Sequence, residues 1–177
     1  MPMDLDWEKY GNEASQMLSE LLQINTTNPP GDEYKAIQYL KKHLDREGIS
    51  YEILEKEKGR SNLIARLKGK RPGPRVMLMS HVDVVPVTDE KKWKYPPFSG
   101  AIEEGYIWGR GALDMKCMTA MEFVTFMLFK RLKLDFAGEL ILLAASDEEQ
   151  GSSYGAEWLC KTHPDKMRCD YVLNEGG

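Results

Sequence analysis

The chain has 177 residues, with 24 Lys or Arg against 28 Asp or Glu and a formal net charge of −4. That balance argues against a nucleic-acid or anionic-membrane surface, which needs a basic stripe, and no run approaches the ~18 uninterrupted apolar residues of a membrane span. The length suits one domain with a sizeable core. The N-terminal MPMDLDWEKYGNEA has acids where a secretory signal has a basic and then an apolar segment, so a cytoplasmic location is expected. Cys117, Cys160 and Cys169 are a sparse, odd set that fits a reducing compartment. Cys160, His163 and Cys169 lie close in sequence but offer only three zinc ligands and no paired C-x-x-C, so the thiols read as buried or incidental.

Leu18, Leu21, Leu22 and Ile24 mark an amphipathic helix within residues 5–24, which the turn-rich Asn25-Thr26-Thr27-Asn28-Pro29-Pro30-Gly31 ends. A second helix starts near Asp32, turns Ile37, Tyr39, Leu40 and Leu44 inward and stops at Gly48. His43, among Lys41, Lys42 and Asp45, reads as a solvated surface histidine. Ile49 to Leu54 alternates as a half-exposed strand does, Asn62 to Leu67 reads as its partner, and Gly69 to Pro74 reads as a turn. Val76 to Ser80 lacks polar alternation, the mark of a strand buried on both faces, and ends in His81-Val82-Asp83.

Val84 to Gly111 is a long connection stiffened by Trp93, Tyr95, Phe98, Tyr106 and Trp108. Gly109-Arg110-Gly111-Ala112-Leu113-Asp114 then opens a helix to about Leu132, with Asp114 at the N-cap or in the first turn. Met115, Met118, Met121, Phe123, Val124, Phe126, Met127, Leu128 and Phe129 make that helix apolar almost all round, a buried scaffold. Leu140 to Ala145 is a strand that stops abruptly in Asp147-Glu148-Glu149. Ser152 or Ser153 is expected to cap a helix with Ala156, Trp158 and Leu159 inward, and Tyr171 to Leu173 is a short strand before Glu175. Helices alternating with apolar strands give an α/β sheet covered on both faces.

Three strands thus end in candidate ligands, His81 with Asp83, the acids 147–149, and Glu175, while Asp114 begins the central helix. The carboxyl edge of an open α/β sheet is where ligand and metal chemistry sits. One imidazole with several carboxylates suits Zn²⁺, with Co²⁺ or Mn²⁺ as substitutes, whereas Mg²⁺ and Ca²⁺ more often take oxygen alone. In His81-x-Asp83 a carboxylate two residues on can accept the other ring N–H and fix the tautomer. Singly, each residue has a plainer explanation: a core histidine, a helix cap, a solvated loop, a surface acid. Their coincidence at strand and helix ends favours a metal centre.

The strings SHVDVVPV, PPFSG, GRGALDMK, SDEEQGS and NEGG, in this order, resemble the dizinc amidohydrolase family of aminoacylase, carboxypeptidase G, acetylornithine deacetylase and succinyl-diaminopimelate desuccinylase. The resemblance runs from about Leu18 to the last residue. It implies a zinc-peptidase-like three-layer α/β sandwich with a mixed, mostly parallel central sheet flanked by helices. It implies that Asp114 bridges two zinc ions, that His81 and Glu175 complete one site and that Glu149 belongs to the other. Glu148 matches the general base, Asp83 the acid that orients the histidine, and a cis peptide is expected at Asp114–Met115. The implied activity is hydrolysis of the amide bond of an N-acylated amino acid or small peptide, of deacylase or carboxypeptidase type. There the metal pair polarises the carbonyl and acidifies a water, while Glu148 takes its proton and hands it to the leaving amine.

The family pattern also has a histidine well beyond the Glu175 position and a smaller domain for substrate closure and dimerisation. His163, in a Thr-His-Pro loop, matches no family ligand. Residues 1–177 are therefore expected to be the N-terminal portion of the catalytic domain, without the lid, and the homodimer is expected of the full-length protein only. Such a chain fills one metal site, half-fills the other, and is weakly active or inactive. The alternative is a non-catalytic metal-binding domain acting through partner association. A true aminopeptidase on a related sheet fits SDEEQGS and NEGG less well.

Overall fold

The structure is a computed structural model that describes residues 5–175; the two glycines that end NEGG, and residues 1–4, lie outside it. In chain order the elements are α1 (Trp7–Leu22), α2 (Tyr34–Arg46), β1 (Tyr51–Glu55), β2 (Ser61–Lys68), β3 (Arg71–His81), β4 (Ala101–Glu103), β5 (Tyr106–Trp108), α3 (Lys116–Arg131), β6 (Ala137–Ala145), α4 (Ala156–Thr162), α5 (Pro164–Met167) and β7 (Tyr171–Leu173). Five strands form one mixed sheet in the order β1-β2-β6-β3-β7. The pairs β1–β2 and β2–β6 are antiparallel, and β6, β3 and β7 run parallel.

Side chains alternate across a strand, so β6 sends Leu140, Leu142 and Ala144 into one core and Ile141, Leu143 and Ala145 into another. The first core is closed by Leu21 and Leu22 of α1, Ile37 and Leu40 of α2 and Phe123 and Phe126 of α3, the second by Leu159 of α4. Helices on both faces of a mixed sheet are the three-layer arrangement that the sequence pattern implies.

Register places the site. The parallel pair β3–β6 runs in step from Val76↔Leu140 to His81↔Ala145, so both strands end at one level. β7 joins β3 from Val76↔Tyr171 to Leu78↔Leu173, and Glu175 follows two residues later. Behind this edge the end of α1 is pinned. Ser19 Oγ donates to the Gly100 carbonyl at 2.6 Å, and the buried Lys116 Nζ donates to the carbonyls of Leu21 at 3.0 Å and Ile24 at 2.8 Å. Gly100 has φ +62°, and a Cβ there would sit 2.1 Å from the Ser19 oxygen, which explains the glycine of PPFSG.

Several expectations are corrected. The KRPGP segment is not a plain turn but the start of β3, where Arg71 pairs with Ala137 and Arg75 with Glu139. Residues 72–74 bulge opposite Gly138, and a bulge is where a sheet tolerates prolines that cannot donate. The connection 84–111 hides the β4–β5 hairpin, turning through Glu104 and Gly105 at φ +59° and +81°. Asp114 does not cap α3, which starts at Lys116 with Met115 before it and no side-chain cap. Neither Ser152 nor Ser153 caps α4, whose N-cap is Gly155; Ser153 bonds Asp147 instead. His43 is half-buried, edge-on to Tyr39 at 4.8 Å, rather than solvated. Cys160 is exposed and Cys117 and Cys169 half-buried, all three free thiols.

The α3 helix is not buried all round: Met121 is 52% exposed, and β7 beside it is open, with Tyr171, Val172 and Leu173 each more than half exposed. At this margin Glu122 is buried with neither carboxylate oxygen hydrogen-bonded, beside Leu78, Met118 and Leu173. Burial pushes its carboxyl up to about 7. An acid whose folded-state pKa exceeds its unfolded value binds its proton more tightly when folded. Stability is then full below about 4.5 and falls as pH rises through 7. We expect the chain to lose about 2–3 kcal/mol between pH 5 and pH 8 from this group, at ~1.4 kcal/mol per pKa unit. Urea unfolding at both pH values should show a loss that is smaller in Glu122→Gln than in the parent by about that amount.

Candidate metal centre

His81 ends β3 with its ring 2% exposed, held from behind by a backbone contact to Met115 Sδ at 3.3 Å and by Thr119 Oγ1 donating to its carbonyl at 3.2 Å. Its Nδ1 lies 3.0 Å from the carbonyl oxygen of Asp83. A carbonyl only accepts, so Nδ1 carries a proton and Nε2 is the nitrogen turned to the acids. Nε2 is 3.1 Å from Asp114 Oδ1, 3.6 Å from Glu175 Oε1 and 3.7 Å from Glu148 Oε2. Two sets of three, His81 with Asp114 and Glu149, and His81 with Glu148 and Glu175, each offer ligand atoms within 4.8 Å of one another. Residues from the end of β3, the turn before α3, the turn after β6 and the segment after β7 thus meet in one place.

The electrostatics are those of a cluster short of positive charge. Burial pulls the His81 imidazolium down, but Asp83, Glu175 and Glu148 more than offset it and hold the group up at about 9. Burial and the nearby Asp114 push the carboxyls of Glu149 and Glu175 up. Acids that raise one another's pKa are relieved by a divalent cation. One imidazole nitrogen with carboxylate oxygens is a donor set that fits zinc.

Asp83 is fully buried, and it touches more than the histidine. Its carboxylate is 3.4 Å from His81 Nδ1, farther than its own carbonyl. Oδ1 accepts the Glu148 N–H at 3.1 Å, and Oδ2 accepts the Glu149 N–H at 3.2 Å. Burial alone would raise its pKa, but His81 and Asn28 bonded to it hold it below the usual carboxylate range. Glu148 and Glu149 therefore leave β6 on a single 3₁₀ turn, Glu148–Gln150, anchored through its amides. The two side chains are free to point at the cluster.

Asp147, grouped by sequence with its two neighbours, turns inward. Its carboxylate takes Arg60 at 2.7 Å, Asn28 at 2.9 Å, and Ser153 Oγ and the Tyr154 N–H at 3.1 Å each. Arg60 also clamps Glu33 with two bonds of 2.8 Å. Asn28, Glu33, Arg60 and Lys116 are thus supporting residues that sequence reasoning missed. The signal for Asn28 was a polar residue in front of two prolines; both of its prolyl bonds, Asn28–Pro29 and Pro29–Pro30, are cis. The bond Asp114–Met115 is cis, as the family resemblance implies. His163 packs edge-on against Trp158 at 5.3 Å, and among the described residues it forms no ligand cluster with Cys160 and Cys169.

An α/β sandwich with one imidazole and several carboxylates gathered at the carboxyl edge of its parallel strands is a zinc-peptidase-like domain. More particularly, the chain belongs to peptidase family M20/M25/M40, whose sequence profile matches residues 77–177. A succinyl-diaminopimelate desuccinylase of Xanthobacter autotrophicus is 34% identical over 150 residues, covering 81% of this chain and 38% of that protein. An M20 family metallo-carboxypeptidase of Sulfolobus solfataricus shares the fold with a TM-score of 0.78 and 26% identity, over 93% of this chain and 37% of that one. A dinuclear metal-binding M20 peptidase of Bacillus subtilis matches with a TM-score of 0.67 and 18% identity, over 94% of this chain and 43% of its own. This chain therefore spans about two fifths of the length of these relatives.

Proposed function

We propose that this chain is the N-terminal, metal-binding part of an M20-type catalytic domain that hydrolyses the amide bond of an N-acylated amino acid or small peptide. The observation that carries the reading is the convergence of His81 Nε2 with the carboxylates of Asp114, Glu148, Glu149 and Glu175. Asp114, His81 and Glu175 would hold one zinc ion, with Asp114 shared by a second at Glu149. Zinc there would supply Lewis-acid polarisation of an amide carbonyl and acidify a water. The remaining steps belong to the protein. Glu148, 47% exposed in its side chain and anchored through its amide, takes the water's proton and returns it to the leaving amine. Asp83 keeps His81 in the tautomer that leaves Nε2 free.

The relatives support an amide substrate by their names alone, a desuccinylase and a carboxypeptidase. The free thiols suit cytoplasmic surroundings, and no helix among the described residues is long and apolar enough to cross a membrane. A homodimer is proposed only for a longer polypeptide of this family. The zinc-loaded chain should be incubated at high concentration with N-succinyl and N-acetyl amino acids and dipeptides, with and without chelator. Slow amine release that chelator abolishes is expected. Tight zinc binding with no amine release would favour a second reading, a metal-binding domain that acts through a partner; the open β7 edge is the observation in its favour.

A further inference from the structure

Beneath the acids lies a second layer of buried polar groups, of which the proposed chemistry uses only Asp83. Asn28 is 1% exposed, Asp83 fully buried and Asp147 2% exposed. Asn28 Nδ2 donates to Asp83 Oδ2 at 2.8 Å and to Asp147 Oδ1 at 2.9 Å. Each N–H of the amide meets a different carboxylate. Turned over, the amide would set its oxygen against two carboxylates, so this orientation is fixed by charge. We propose that Asn28 is a positioning residue for the Glu148–Glu149 pair, acting through Asp83. The proposal rests on the metal-centre reading for its purpose, but the geometry stands on its own.

The chain of contacts is short. Asn28 holds the Asp83 carboxylate in place, and that carboxylate receives the amides of both Glu148 and Glu149. Asn28 is itself stitched to the segment that follows His81. Its N–H donates to the Val84 carbonyl at 2.9 Å, the Val84 N–H donates to Thr26 O at 3.2 Å, and Thr26 Oγ1 donates to Val82 O at 2.5 Å. Residues 26–28 thus run beside residues 82–84 as one more short pairing, Thr27↔Val84. On the far side Arg60 bonds Asp147 and Glu33. Three carboxylates, Glu33, Asp83 and Asp147, thus lie buried in this layer, and Arg60 reaches only Glu33 and Asp147 among them. A neutral double donor at position 28 satisfies two of them without adding charge, which an aspartate of the same shape would do.

The test compares the parent with Asn28→Ala and the isosteric Asn28→Asp by amide hydrogen exchange in the metal-free protein and by the visible spectrum on Co²⁺ titration. We expect the Glu148 and Glu149 amides of both variants to exchange at least tenfold faster than in the parent. The amides of β6, such as Leu142, should exchange unchanged. Co²⁺ affinity should fall at least tenfold, with an altered ligand-field spectrum. Parent-like exchange at 148 and 149 in either folded variant would overturn the proposal. So would an equal acceleration throughout β6, the mark of general loosening. If Asn28→Ala does not fold, Asn28→Asp decides on the same readings. A parent chain that takes up no Co²⁺ overturns the metal reading instead, while the exchange rates still decide the role of Asn28.

Discussion

Replacing His81 with Ala is expected to weaken Zn²⁺ binding by about a thousandfold, or ~4 kcal/mol. The ring supplies the one nitrogen of the cluster and belongs to both sets of candidate ligands. Its loss leaves Asp114, Glu148, Glu149 and Glu175 with no nitrogen partner and with their mutual repulsion intact. The other two histidines are the controls, since His43 packs edge-on against Tyr39 and His163 against Trp158. Calorimetric titration of His43→Ala and His163→Ala should match the parent within about threefold, well under 1 kcal/mol. An equal loss in all three variants would mean that zinc binds nonspecifically.

Shortening Glu148 to Asp is expected to lower amide hydrolysis by about a hundredfold or more, within the range that a general base contributes. Zinc affinity should hold within about threefold of the parent, under 1 kcal/mol. The change keeps the charge but draws the carboxylate back by one methylene, while the backbone stays pinned by the Glu148 N–H on Asp83. A base must lie within hydrogen-bond reach of the proton it takes, so reach is what the variant removes. Because the chain alone is expected to be slow, protein in excess over an N-acyl amino acid gives the most sensitive rate. Hydrolysis at the parent rate would exclude Glu148 as the base. Loss of zinc together with activity would make it a ligand, as its place beside His81 and Glu175 also allows geometrically.

How much of this was legible in the sequence depended on the kind of signal. The runs Val76–Ser80 and Leu140–Ala145 are apolar without alternation, and such runs stand in the middle of a sheet, so their ends could be assigned to one edge. Candidate ligands follow those ends and the end of Tyr171–Leu173, which is why His81, Asp83, the acids 147–149 and Glu175 could be singled out from order, while the separate roles of Glu148 and Glu149 came from the family resemblance. Asp114 could be named but not placed, because a carboxylate before a helix reads as a cap whether or not it bonds an N–H. What stayed hidden was long-range or locally ambiguous. Gly138, 64 residues beyond Pro74 in the chain, explains why two prolines enter β3, since a Cβ there would stand 1.9 Å from the Pro74 oxygen. The β4–β5 turn uses Glu-Gly rather than the stronger Asn-Gly pair. Asn28 and Arg60 act on carboxylates 55 and 87 residues away, and no local pattern announces such a contact.

The coordination shell of zinc bound to this chain tests the central claim most directly, and X-ray absorption at the zinc edge reads it. The account predicts one imidazole nitrogen at ~2.0–2.1 Å among carboxylate or water oxygens, with no sulfur. A sulfur shell at ~2.3 Å would move the metal to the thiols of Cys117, Cys160 or Cys169, and a shell of oxygen alone would remove His81 from it; either result contradicts the account.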